Sequence, residues 1–303
     1  MRHLTLPYRY PLTIHFSPCG RRLYAGGIGV LAGWDLDRAG GKPAWVTEDG
    51  GFATRLAVSP CGRYVAGADD RCVLVWDLVR PGRAKWLAAN RSGDHITDVA
   101  FTPDGSDLLT ACIDGARGVR RWRVGTWRRL PAVGLKSWCD GALAVSPDGK
   151  TVATSDAARG RLAIKLWRYP GGTLRKTAAT DARIDRLLYS PDGSLLAAQD
   201  DWRRVRVWDA RTLREVARYE PPAKKVRGKE GEVTSLAFHP SGRVLAVASD
   251  AAAVAFLDTV TWRPLRAFDW RIGRVFGVTF SPDGALCAAT GVKGRVVVWD
   301  VDD

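Results

Sequence analysis

In this 303-residue chain the residue types best suited to proton transfer, nucleophilic attack or metal binding are four histidines (His3, His15, His95, His239) and six cysteines (Cys19, Cys61, Cys72, Cys112, Cys139, Cys287). A metal site needs such residues in clusters, and a catalytic His needs a nucleophile or carboxylate grouped with it. Here the cysteines lie singly, with no CxxC pair and no Cys/His cluster, so they read as ordinary buried or turn thiols. The histidines are equally scattered. GIGVLAG, residues 27–33, looks like a nucleotide-binding glycine loop, but its spacing is GxGxxxG and no helix pattern follows, so it reads as a hairpin and strand. No phosphate loop, zinc-protease helix or hydrolase elbow occurs. The chain is therefore expected not to be an enzyme and to hold no cofactor and no metal.

Charge offers a different chemistry. The 46 basic residues, 36 of them arginine, outnumber the 32 acidic ones and give a formal net charge of +14. Such an excess attracts nucleic acid, anionic membrane or acidic partners. Basic clusters occur at Arg120, Arg121 and Arg123, at Arg128 and Arg129, and at Arg203, Arg204 and Arg206. PPAKKVRGKEG, residues 221–231, reads as a projecting loop carrying Lys224, Lys225, Arg227 and Lys229 as possible phosphate contacts. The clusters fall on several segments, which also suits solvated edges, and an arginine bias also follows from a GC-rich genome.

What must position any site is a set of repeated elements. Hydrophobic content of 46% with 26% charged residues belongs to a globular protein with a sizeable core. The first 20 residues are broken by Arg9, His15 and three prolines, leaving no apolar core for a signal peptide, and no run of 18 apolar residues spans a membrane. A cytoplasmic location is expected. A Ser/Thr/His-Pro-x-Gly turn begins at residues 17, 59, 102, 146, 190, 239 and 281, at spacings of 42, 43, 44, 44, 49 and 42. A tryptophan pair or its remnant follows each turn: Trp34-Asp35, Trp76-Asp77, Trp122-Arg123, Trp167-Arg168, Trp208-Asp209, Leu257-Asp258 and Trp299-Asp300. The sixth copy has lost the Trp. Alternating residues before each turn, then small-residue runs such as Ala66-Gly67-Ala68, then β-branched runs such as VLVW at 73–76, read as consecutive strands. ARTLREVARYE, 210–220, has a helical look, but its place in the repeat makes it an outer strand.

Period, Ser-Pro-Asp-Gly turn and Trp-Asp ending together resemble the WD-repeat β-propeller family, in a bacterial-type member, over essentially the full length. The resemblance implies an all-β fold: one seven-bladed propeller over residues 1–303, of four-stranded antiparallel blades. Only Val301, Asp302 and Asp303 follow the seventh Trp pair, so residues 2–8 are expected to supply that blade's outer strand and close the ring. No repeat carries the family's usual Gly-His dipeptide, so Trp and aliphatic packing is expected to hold the blades in place of the family's buried His-Asp-Ser-Trp set. The family's partner-binding face lies at the end of each inner strand away from the turn. Seven residues before the turn this gives Tyr10, Phe52, His95, Cys139, Arg183, Glu232 and Arg274, and five before gives Leu12, Thr54, Thr97, Gly141, Asp185, Thr234 and Phe276. Tyr10, Phe52, His95, Arg183, Arg274 and Phe276 are the candidate contacts. The implied function is a non-catalytic, monomeric scaffold for another protein or an acidic peptide; the alternative is a basic propeller binding RNA or DNA through its arginine-rich surfaces and the 221–231 loop.

Overall fold

The computed structural model describes residues 1–6, 11–27, 30–38, 40–47, 54–69, 72–80, 84–88, 95–113, 118–131, 141–157, 160–201, 203–222, 232–250 and 253–302. Within them the chain is all-β, with no α-helix, and each sequence repeat becomes one four-stranded antiparallel sheet. In strand order the first sheet is Pro11–Phe16, Arg22–Gly27, Val30–Asp35 and Trp45–Thr47; the second is Arg55–Val58, Tyr64–Asp69, Cys72–Asp77 and Lys85–Ala88. The third is His95–Phe101, Asp107–Ile113, Gly118–Arg123 and Arg129–Leu130; the fourth is Leu143–Val145, Thr151–Asp156, Ala163–Arg168 and Leu174–Ala179. The fifth is Ile184–Tyr189, Leu195–Asp200, Arg204–Asp209 and Glu215–Tyr219; the sixth is Val233–Phe238, Val244–Ser249, Val254–Asp258 and Pro264–Phe268. Segment 210–220 is thus a turn and outer strand, and the glycines of 27–33 that are described lie in strands. The chain divides into two compact units, residues 1–58, 202–204 and 219–303 in one and 59–201 and 205–218 in the other.

The seventh sheet joins the two ends of the chain. Val275–Phe280, Leu286–Gly291 and Arg295–Asp300 are completed by Arg2–Thr5, in the register Arg2 with Val298 through Thr5 with Arg295. Leu6 N–H adds a bond to the Gly294 carbonyl at 2.7 Å. The strand is shorter than the 2–8 expected; residues 7 and 8 lie outside the described residues. Leu4 and Leu6 are buried with Ile14, Phe16, Leu23, Val296 and Val298. Their burial shows why these residues leave solvent at all.

Six of the seven turns are locked by one buried hydroxyl, that of Ser17, Ser59, Thr102, Ser146, Ser190 or Ser281. Ser146 Oγ donates to Asp148 Oδ1 at 2.5 Å and accepts the Thr151 N–H at 2.9 Å. The carboxylate in turn accepts the Lys150 N–H at 3.0 Å. The same set recurs through Thr102 and Asp104, Ser190 and Asp192, and Ser281 and Asp283. Gly149 and Gly193 close their turns at φ of +68° and +73°, a conformation glycine adopts at no steric cost. A Cβ on Gly193 would lie 3.4 Å from Pro147 Cδ of the preceding turn, an ordinary contact distance, so φ, not crowding, calls for glycine. In the sixth repeat His239 takes over the serine's place: its Nδ1 pairs with Ser241 Oγ at 2.7 Å and its Nε2 with the Gly284 carbonyl at 3.1 Å.

Tryptophan burial fills the space between sheets, with a polar anchor in part of the chain. Trp122 Nε1 donates to Thr110 Oγ1 at 3.4 Å and Trp167 Nε1 to Thr154 Oγ1 at 2.9 Å, so the Trp-to-hydroxyl half of the family's hydrogen-bond set survives in the third and fourth sheets. This corrects the expectation of apolar packing alone. Where the Trp is lost, Leu257 is fully buried, and Phe256, Phe268 and Trp270 supply aromatic bulk that continues to Trp299, with Trp270 and Trp299 ring centroids 5.2 Å apart.

Two predictions test these devices. Removing residues 1–6 strips the seventh sheet of its outer ladder and of two buried leucines, each worth about 1.5–3 kcal/mol, with ladder bonds adding about 0.5–1.5 kcal/mol apiece. The truncated protein should melt well below the full chain and aggregate sooner; equal melting would show that Arg2–Thr5 is a dispensable tail. The turn carboxylates of Asp104, Asp148, Asp192 and Asp283 are all held below their ordinary value of 3.8, chiefly by the hydroxyl hydrogen bond. A depressed folded value means stability that is present above that ordinary value and is lost as pH falls through the folded values. Melting temperature should therefore be flat near neutrality and drop below about pH 4, and Ser146→Ala should melt lower at neutral pH with a shallower acid limb.

Candidate functional site

The end of each inner strand away from the turn carries a recurring irregularity. Pairing skips one residue between Pro11 and Thr13, Ile96 and Asp98, Ile184 and Arg186, Val233 and Ser235, and Val275 and Gly277. The skipped residues, Leu12, Thr97, Asp185, Thr234 and Phe276, are the positions five before the turn. A β-bulge leaves its extra residue out of the ladder and re-aims the side chain, and bulges are over-represented at sheet edges, at rims and next to active sites. Sequence periodicity places these residues but does not reveal that they are bulged. In the fourth repeat the same position is Gly141, at φ +108°.

Arg274, two residues before the bulged Phe276, lays its guanidinium 5.6 Å from that ring's centroid and donates to Glu232 Oε2 at 2.8 Å. Both partners of the ion pair stay nearly half exposed, at 45% and 42%. Arg183 has the same relation to Asp185, at 3.7 Å, with its own side chain 50% exposed. The carbonyls of Arg183 and Glu232 accept the N–H groups of Asp201 and Asp250, which ties both positions to the turn after the second strand. His95 is exposed at the start of the third inner strand. Tyr10, Phe52 and Cys139 lie outside the described residues, as do Lys224, Lys225, Arg227 and Lys229 of the basic loop.

The arginine clusters read from sequence are largely spent internally. Asp107, fully buried, accepts Arg121 at 2.6 Å and Tyr169 Oη at 2.6 Å, with Arg123 at 3.5 Å. Arg120 is itself buried. Arg206, with only 6% of its side chain exposed, sits among Asp181, Asp200 and Glu215, and Arg218 reaches Glu215 from the other side at 3.1 Å. A buried guanidinium needs such partners, because desolvation otherwise costs several kcal/mol (order of magnitude). Arg123, Arg128, Arg129 and Arg203 are the exposed members of these clusters. Among the described residues no group of three or more His, Cys, Asp or Glu side chains is placed to hold a metal ion, and no helix is long and apolar enough to cross a membrane.

These repeats, turns and buried tryptophans define a seven-bladed β-propeller built from WD repeats. The family model for the WD domain, G-beta repeat, matches residues 46–77, 87–116, 172–209, 221–253 and 262–300, more than half of the chain, and the chain belongs to this family. Among individual proteins it is 25% identical over 256 residues to Protein tipD of Dictyostelium discoideum, across 81% of this chain and 39% of that protein. It is 25% identical over 240 residues to the serine-threonine kinase receptor-associated protein of Gallus gallus, across 78% of this chain and 63% of that protein. The chain thus spans less than two thirds of the length of either relative. Among solved structures, the hydrazine synthase of Kuenenia stuttgartiensis superposes with a TM-score of 0.81 at 17% identity over 99% of this chain and 98% of that one. The β-propeller domain of Cps50 (Swd1) from Myceliophteria thermophila gives 0.78 at 17% identity, with 98% of both chains covered. At this identity the likeness shows the fold alone.

The first two turns substitute cysteine for the aspartate. Cys19 Sγ lies 3.3 Å from Ser17 Oγ and Cys61 Sγ 3.4 Å from Ser59 Oγ, so each thiol occupies the carboxylate's place. At Cys19 the Ser17 hydrogen bond leads in lowering the thiol pKa. At Cys61 burial pushes upward, but the Ser59 hydroxyl and nearby backbone N–H groups outweigh it. Burial drives Cys72 the other way, up to about 12, and raises Cys287 well above its ordinary value. Because the thiolate is the nucleophile, iodoacetamide followed by mass spectrometry should label Cys19 and Cys61 of the folded protein at least about tenfold faster than Cys72 and Cys287. Uniform labelling across the four would show that the turn does not bias its thiol.

Proposed function

We propose that this chain is a non-catalytic platform for another protein, working as a monomeric propeller in the cytoplasm and binding at the end of the blades away from the Ser-Pro-x-Gly turns. The observation that carries the reading is the bulge repeated in five inner strands, with an exposed arginine set two residues before it in the fifth and seventh. Arg274, its carboxylate partner Glu232 and the Phe276 ring combine charge with an apolar face, the combination enriched where interfaces concentrate their energy. A guanidinium carries five N–H donors, so one carboxylate neighbour does not saturate it. The expected ligand is an acidic peptide with an aromatic or aliphatic anchor, contacting Arg274 and Phe276; Arg183, Tyr10, Phe52 and His95 are candidate contacts by their equivalent place in the repeat. The relatives named above bear on this in one way: a protein described as receptor-associated is built on similar repeats.

Nucleic acid is the competing ligand, and the internal pairing of Arg121, Arg123 and Arg206 weighs against it. The test has two steps. The protein is used to capture partners from its native lysate with and without nuclease, and the recovered partner is then titrated against wild type and the Arg183→Ala, Arg274→Ala double variant. Affinity should fall by at least about 2 kcal/mol, roughly thirtyfold, while melting shifts little because exposed ion pairs contribute about 0–1 kcal/mol. Wild-type affinity in the double variant overturns the site. Capture lost on nuclease treatment transfers the function to nucleic acid.

A further inference from the structure

Arg274 already holds a carboxylate of its own chain. Its Nη2 donates to Glu232 Oε2 at 2.8 Å while the guanidinium lies 5.6 Å from the centroid of the Phe276 ring. An acid of the sixth repeat thus sits on an arginine of the seventh, where a ligand's acidic group is expected. Its position is fixed by the fold. Glu232 N–H donates to Asp250 Oδ1 at 2.6 Å, and its carbonyl accepts the Asp250 N–H at 2.9 Å, so both backbone polar groups of the residue are tied down. Phe276 is held beside the arginine as the residue skipped between Val275 and Gly277.

Exposure decides what an incoming ligand meets. Seven and five residues before the turns, the acids are Glu232 and Asp185; the Asp185 side chain is 8% exposed and that of Glu232 42%. Glu232 is therefore the carboxylate that faces solvent beside the arginine. Exposed ion pairs are weak, because water screens them and two long side chains must be ordered. A ligand opens such a pair readily, but it then binds against a like charge that stays fixed beside the arginine. The penalty falls unequally. A ligand with a single carboxylate exchanges one ion pair for another, whereas one with several acids and an apolar group on Phe276 gains contacts that Glu232 does not supply.

On the reading that Arg274 and Phe276 bind an acidic ligand, we propose that Glu232 is a built-in competitor that sets the selectivity of this surface. In the free chain it neutralises Arg274 and takes one of its donors, so that only a multiply acidic segment with an apolar anchor binds well. Calorimetric titration of the full chain tests this with the peptide acetyl-Asp-Glu-Phe-Glu-Asp-amide, its neutral counterpart acetyl-Asn-Gln-Phe-Gln-Asn-amide and the single-acid acetyl-Asn-Gln-Phe-Gln-Asp-amide. Glu232→Gln should bind the acidic peptide about three- to fivefold more tightly than wild type, the range that an exposed pair allows. The gain should shrink as salt is raised, be absent for the neutral peptide, and largely vanish in an Arg274→Ala background, because the acid acts through the arginine. The single-acid peptide should bind wild type no better than the neutral one does, and Glu232→Gln better. Melting of Glu232→Gln should stay near wild type, so a change in affinity reads the site and not the fold. Equal affinity of wild type and Glu232→Gln for the acidic peptide, or an equal gain for the neutral one, overturns the competitor; the binding site itself still stands if Arg274→Ala weakens binding. Unchanged binding in Arg274→Ala, or no saturable binding of the acidic peptide at millimolar concentration, overturns the site and the competitor with it.

Discussion

The interaction on which the rest of the structure depends is the hydrogen bond between a buried turn hydroxyl and the carboxylate or thiol two residues later. Ser17, Ser59, Thr102, Ser146, Ser190 and Ser281 are all buried, and a hydroxyl in that position must find both a donor and an acceptor. The residue five positions on supplies the N–H, which fixes where the second strand begins. Since side chains alternate at every residue, a turn closed one residue early would send each Leu and Val of that strand to the wrong face. One small local network therefore sets the register of an entire sheet. Its repetition lets six dissimilar sequences form equivalent sheets, and His239 stands in for it in the remaining one.

A second constraint is electrostatic. A chain with 46 basic and 32 acidic residues looks, on paper, like a positive surface. In the fold, carboxylates at the ends of strands gather the arginines of neighbouring strands: Asp107 takes two, and Arg206 is shared by three acids. Each such pair removes one charge of either sign and leaves the excess of 14 in place, so pairing decides where the positive charge lies rather than how much of it there is. The planar guanidinium fork suits this role better than an ammonium, in keeping with the preponderance of arginine over lysine.

Most of the fold was legible because it repeats. The seven turns located the hairpins, the Trp-Asp pairs located the third strands, and the missing strand after Trp299 pointed to the N-terminal residues. What was not legible depended on contacts between distant positions. Nothing in the spacing of Trp122 and Thr110, or of Trp167 and Thr154, announces that indole and hydroxyl will meet, and only the paired strands bring them together. The bulges at Thr97, Asp185 and Phe276 are similarly silent, since a bulge is a property of two strands in register and not of either alone. Arg120, Arg121 and Arg123 looked like one cluster, yet Arg120 is buried while the other two share an acid, because neighbouring residues on a strand face opposite ways.

The pairing of Arg2–Thr5 with Arg295–Asp300 sets a schedule for the newly made chain. At about 5–20 residues per second, synthesis takes roughly 15–60 seconds to pass from the first strand to its partner. Throughout that interval Leu4 and Leu6 have no sheet to enter, and the sheets already formed have nothing to close against. Sheets that depend only on neighbouring residues can form as they emerge, but the seventh must wait for the last. During translation Leu4 and Leu6 are thus apolar residues without their final partners, and a chaperone that shields apolar segments has an opportunity at the N-terminus.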